Sequence, residues 1–147
     1  MQAKSPPIFG FGFGLSLTEF VFSDLQWHHP APAGGDSTVT VTIKNTGGRV
    51  GAEVAMLFVQ LPVAAAAAGA TAVSTPRLQL QGFQKPFLAV GESQTLSYRL
   101  VPRQLSVAQP DGSWKLAAGK VTVSVGGHQP GEPGQHTSNV VSVVSAV

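Results

Sequence analysis

Seven carboxylates and four histidines carry nearly all the acid–base and metal-binding chemistry available near neutral pH in this 147-residue chain. The acids are Glu19, Asp24, Asp36, Glu53, Glu92, Asp111 and Glu132. Catalysis by a carboxylate pair needs two of them ~5–9.5 Å apart across a bond, with shifted pKa values. Asp36, Glu92 and Asp111 stand in turn-rich sequence, where a short acid caps backbone N–H groups or is simply solvated. No two of the seven share a recognisable catalytic setting. His28 and His29 are neighbours, and neighbours on a strand point to opposite faces, so a regular strand cannot chelate through them. His128 and His136 flank QPGEPGQ, a glycine- and proline-rich loop that fixes no metal geometry. No GxSxG elbow is present. The chain has no cysteine, which excludes disulfides and thiolate metal sites. No catalytic residue, metal site or cofactor follows from these side chains.

The glycines of FGFGFGLSLTEF (residues 9–20) suggest a phosphate loop. A dinucleotide loop requires GxGxxG between a strand and a helix. Starting from Gly10, the third glycine falls on Leu15; starting from Gly12, it falls on Leu17. The sequence that follows is strand-like, so no helix N-terminus awaits an anion. The Gly-Lys-Ser/Thr of a P-loop is also missing. The stretch reads instead as a close backbone passage whose phenylalanines fill apolar pockets. Among the larger aromatics, Trp27, Trp114 and Tyr98 suit either a sugar-stacking platform or the core and its edges. Trp114, in DGSWKL, fits a glycan or an interface equally.

The elements that position these residues are strands. In STVTVTIKN (37–45), Val39, Val41 and Ile43 face one way and the threonines the other, the period-two pattern of a half-buried strand. EVAMLFVQL (53–61) is almost continuously apolar, as in a central buried strand. EFVFSDLQW (19–27), RLQLQGFQK (77–85), SQTLSYRLV (93–101) and KVTVSVGG (120–127) are further strands, and NVVSVVSAV (139–147) can add one more. Turn residues punctuate them: Pro30-Ala31-Pro32 with Gly34-Gly35, Asn45-Thr46-Gly47-Gly48, Val90-Gly91-Glu92, Pro110-Asp111-Gly112 and Ala118-Gly119. About seven short strands with such spacing predict an all-β sandwich of the immunoglobulin or fibronectin type III kind. The alanine-rich run 63–73 lies between Pro62 and Pro76, contains Gly69 and lacks an amphipathic face. It reads as a loop.

Charged residues make up only 11% of the chain, where about 25% is usual, so much of its surface is small and polar or lies against something else. A net charge of +2 with no basic cluster gives no footprint for nucleic acid. No run of ~18 apolar residues exists to span a membrane as a helix. MQAKSPPIFG lacks the apolar core of a signal peptide, and its polar lead and Pro6-Pro7 suggest an excised domain or partial chain.

The order of short motifs is more specific than any one of them. Phe11-Gly12-Phe13-Gly14-Leu15-Ser16, Asn45-Thr46-Gly47, Leu80-Gln81-Gly82-Phe83-Gln84-Lys85, Gly91-Glu92-Ser93 and Asp111-Gly112-Ser113-Trp114 follow one another. This succession resembles the C-terminal fibronectin type III-like domain of glycoside hydrolase family 3, the β-glucosidase and β-xylosidase family, over roughly residues 8–127. Departures are Leu17, where the family has tyrosine or a similar residue, the long alanine-rich loop, and Arg77-Leu78-Gln79 in place of a lysine–glutamate pair. The ending after Gly127 matches no part of that pattern.

The resemblance implies residues 1–18 as a linker from a preceding α/β domain and 19–127 as the sandwich; residues 128–147 read from their own composition as a Gly/Pro-rich loop that can add a C-terminal strand. It implies a non-catalytic accessory domain, because the nucleophile and acid/base of the family lie in domains outside this sequence. The implied partners are those catalytic domains, packed against a strip of Phe11, Phe13, Leu15 and Phe20. The alternative is a stand-alone module binding glycans or a protein, with Trp114 as its aromatic. Localisation would be secreted or extracytoplasmic if a parent follows the family.

Overall fold

The computed structural model describes residues 8–28, 35–62, 76, 78–109, 111–131 and 139–146. The readings made above for His29, Glu132, His136, Arg77, the turn at 30–34 and the loop 63–73 lie outside the described residues.

The alternating segments form two antiparallel sheets. The first holds β1 (Phe20–His28), β2 (Ser37–Asn45) and β7 (Ser93–Leu100), in the order β1-β2-β7. The second holds β4 (Ala55–Gln60), β5 (Gln79–Gln84), β10 (Lys120–Gly126) and β11 (Val140–Ala146), in the order β11-β10-β4-β5. Two short strand pairs accompany them: β3 (Gly51–Ala52) with β6 (Phe87–Leu88), distant in sequence, and the hairpin of β8 (Ser106–Ala108) with β9 (Trp114–Leu116). A 3-10 turn at Pro102–Leu105 links β7 to β8. The all-β sandwich read from the alternation is therefore the observed architecture.

The core lies between the sheets. Val39, Val41 and Ile43 of β2 enter it with Leu96, Tyr98 and Leu100 of β7, facing Leu57 and Val59 of β4 and Val121, Val123 and Val125 of β10. Each such side chain contributes roughly 1.5–3 kcal/mol on burial. β4 is central and buried from Ala55 to Val59, as its unbroken apolar run requires. Tyr98 spans the gap: its hydroxyl donates to the Ala55 carbonyl at 2.9 Å, and burial pushes its pKa up to about 12.

Three findings refine the sequence reading. The C-terminal strand expected within 139–147 is β11, which pairs with β10 over its whole length and completes the second sheet. The Asn139 side chain secures that strand to the first sheet, accepting from the Phe22 N–H at 2.6 Å and donating to the Phe22 carbonyl at 2.9 Å. Second, Phe20 does not belong to an exposed strip. It shares the inward parity of Phe22 and is 1% exposed, in the core. Third, Asn45 is a buried knot as well as a turn residue. Its amide donates to the carbonyls of Arg49 and Leu88, and its Oδ1 accepts from the Thr18 hydroxyl and the Gly47 N–H. Its backbone N–H and C=O bond to Glu92 and Gly91. Gly47 is obligatory there, because a Cβ would strike Thr18 and the Glu19 backbone.

Candidate docking interface

The carboxylates and histidines are dispersed. Asp24 follows Ser23, whose hydroxyl it accepts, at a bulge in β1 where its φ is +52°. Asp36 pairs with Arg99. Glu53 accepts from the Val54 N–H, and Glu92 from the Ala89 N–H at 2.6 Å. Asp111 accepts from the hydroxyl and N–H of Ser113, which holds its carboxyl below the usual range. These are turn and surface roles. Among the described residues, no group of three or more acids and histidines is placed to hold a metal ion.

The glycine–phenylalanine stretch is built differently. The Phe13 N–H donates to the Gly10 carbonyl at 3.1 Å, and Gly12 has φ +83°. A turn closed over four residues with positive φ at its third is the signature of a type II turn, and glycine meets that φ without strain. The turn lies on the outer face of the second sheet. The Gln129 N–H donates to the Phe11 carbonyl at 2.9 Å. A Cβ on Gly12 would come within 2.6 Å of Met56 Cε and 2.9 Å of the His128 backbone. Phe11 meets Phe58 edge-on with centroids 6.4 Å apart, and Phe9 lies 4.6 Å from Phe13. Met56 and Phe58 point away from the core, yet this strap helps leave them only 6% and 3% exposed.

The strap carries its own apolar surface. Ile8, Phe9, Phe11, Leu15 and Leu17 are exposed, and Phe13 is at the border of exposure. On β5, Leu80 and Phe83 stand opposite Phe58 and Met56 and are also exposed. Sequence reasoning named Phe11, Phe13 and Leu15 and missed the β5 pair. A bulge at Gln81, opposite Leu57 and Phe58, spaces the two outward residues of β5 three apart instead of two, so a period-two reading passes over them.

Trp114 lies elsewhere, on the β8–β9 hairpin, 46% exposed. The Arg103 guanidinium sits over its ring, 4.1 Å from the centroid. Both line a groove of about 340 Å³ with Gln79, Gln81 and Gln104. The Gln104 amide donates to the backbone and side-chain oxygens of Gln81, and the Gln81 amide donates to Gln79. The groove is thus an aromatic–guanidinium stack beside a row of amides, remote in sequence from the strap.

Comparison with known proteins agrees with this architecture. The family model of the fibronectin type III-like domain matches residues 53–129. β-Glucosidase cel3A of Pyricularia oryzae is 36% identical over 144 residues, covering 85% of this chain and 19% of its own length. The solved β-D-glucoside glucohydrolase of Trichoderma reesei superposes with a TM-score of 0.75 and 29% identity, over 96% of this chain and 20% of its own. The GH3 β-glucosidase of Bifidobacterium adolescentis does so with a TM-score of 0.74 and 28% identity, over 94% and 18%. This chain therefore spans about a fifth of the length of such relatives. With sandwich, motif order and matches in agreement, the chain belongs to the fibronectin type III-like domain family, in the form carried by glycoside hydrolase family 3 β-glucosidases.

Proposed function

We propose that this chain acts as the non-catalytic, C-terminal accessory domain of a family 3 β-glycosidase, packed against the catalytic domains of its parent. The observation that carries this reading is the asymmetry of coverage: 85% of this chain aligns with cel3A but only 19% of cel3A aligns with it. The parent would hydrolyse terminal β-linked sugars through a glycosyl-enzyme intermediate. Residues 1–18 then form the linker from the preceding domain, and Phe11, Phe13 and Leu15 form the contact strip. Supporting this, Phe11 and Leu15 are exposed although apolar, beside further apolar side chains of β5. The purified chain is expected to release no nitrophenol from aryl β-glucosides. Robust turnover abolished by substitution of one acidic residue would contradict the reading.

A second reading, a glycan-binding module, is favoured by the Trp114 groove, with its indole and amide row. Retention on immobilised β-glucans, lost in Trp114→Ala, would support it; no retention by the native chain would dismiss it.

A further inference from the structure

The strap and β5 leave a recess between them. Phe11, Phe58, Leu78, Leu80 and Gln129 line an open recess of about 420 Å³. Four of these five side chains are apolar. Its two walls are fixed independently. The Phe11 wall is held by the type II turn and by the Gln129 N–H, and the Leu80 wall by its place opposite Phe58 in the sheet. A recess walled mainly by apolar side chains, with the Gln129 amide at its rim, is suited to receive an anchoring side chain, and such anchors carry most of the energy of an interface.

The geometry points to this recess as the socket for one apolar side chain, of leucine or aromatic size, from the domain that precedes this one in the parent. This rests on the accessory-domain reading above. The occupant follows from the path of the chain. Residues 8–13 reach the sandwich across this same face, with the Phe9 ring against Phe13, so the chain enters the domain beside the recess. The outer face of the first sheet offers no counterpart. Its residues include Thr38, Thr40, Thr42 and Lys44 on β2 and Thr95, Ser97 and Arg99 on β7.

The test titrates the isotope-labelled chain with the polypeptide encoded immediately upstream in the parent, expressed separately. The expected result is a set of shift changes centred on the methyl groups of Leu78 and Leu80 and on the Gln129 amide. Leu80→Asp should weaken Kd by at least about tenfold, and Thr40→Asp, on the opposite face, should leave it unchanged. Leu80 is exposed on an edge strand, so Leu80→Asp should keep its dispersed spectrum; Phe11→Ser provides a second variant. Binding that survives both variants, or shift changes centred on Trp114, overturns the socket and leaves the accessory-domain reading standing. No binding to an upstream glycosidase region also overturns the socket. An upstream region that encodes no glycosidase overturns the accessory-domain reading itself.

Discussion

The two sheets share one core but present opposite outer faces. Outside the first sheet stand one exposed apolar residue, Val21, and Ser23, Gln26 and His28 of β1, with the threonines of β2 and the serines, threonine and arginine of β7. Outside β4 and β5 stand Met56, Phe58, Leu80 and Phe83, with a phenylalanine-rich strap laid across them. An antiparallel sheet with one face on the core ordinarily turns a polar face to water. The first sheet does so. Over β4 and β5 the second keeps apolar side chains there and partly covers them with its own chain, while Thr122 and Ser124 of β10 stand outside the same sheet. The lesson is that the surplus of apolar residues in this small chain is concentrated on one face.

The sharpest break with that scheme would come from the inner side of β4. Leu57→Ala opens a cavity in the shared core and should cost about 2–5 kcal/mol, read as a lower denaturation midpoint with an unchanged m-value. Next is Gly12→Ala, which forces a Cβ into a positive-φ site against the His128 backbone. It should cost about 1–3 kcal/mol and increase dye binding as the strap lifts from Met56 and Phe58. A dye response equal to native would mean that the strap does not cover that face.

Alkaline pH probes the bond between the sheets. Tyr98 is held neutral by burial, with a folded pKa of about 12 against an ordinary value of 10. The folded state therefore binds the extra proton between these values. Stability from this group is complete below pH 10 and is lost as the pH rises toward 12. The Tm of native protein should fall across that window more steeply than that of Tyr98→Phe.

Smaller effects belong to the outer faces. Phe11→Ser with Phe13→Ser should raise the solubility limit and keep a cooperative melt; loss of the melt would place these rings in the core. Thr40→Val, on the polar face, should move stability by no more than about 0.5 kcal/mol.

The sandwich was legible because period-two alternation is written directly into β2 and β10, and the apolar run of β4 announces a central strand. Phe20 was misassigned to the Phe11–Leu15 strip: its alternation with Phe22 sets the parity that carries it inward. The contact face was legible only in part. The failed nucleotide templates correctly returned the glycines to architecture, but the need for glycine at 12 comes from Met56 and His128, distant in sequence. Asn45 read as a turn residue because four of its six hydrogen bonds are made with partners distant in sequence, Thr18, Leu88, Gly91 and Glu92. The Leu80–Phe83 pair was hidden by a bulge within β5, where Gln81 is the extra residue. Trp114 kept both readings, since exposure and a cation–π partner suit either.

Amide hydrogen exchange, compared between this domain alone and the same domain within its parent, tests the contact face most directly. The account predicts added protection at residues 9–13 and 79–84 in the parent, with β7 and the β8–β9 hairpin unchanged. Added protection confined to β7 or to the hairpin around Trp114 would contradict it.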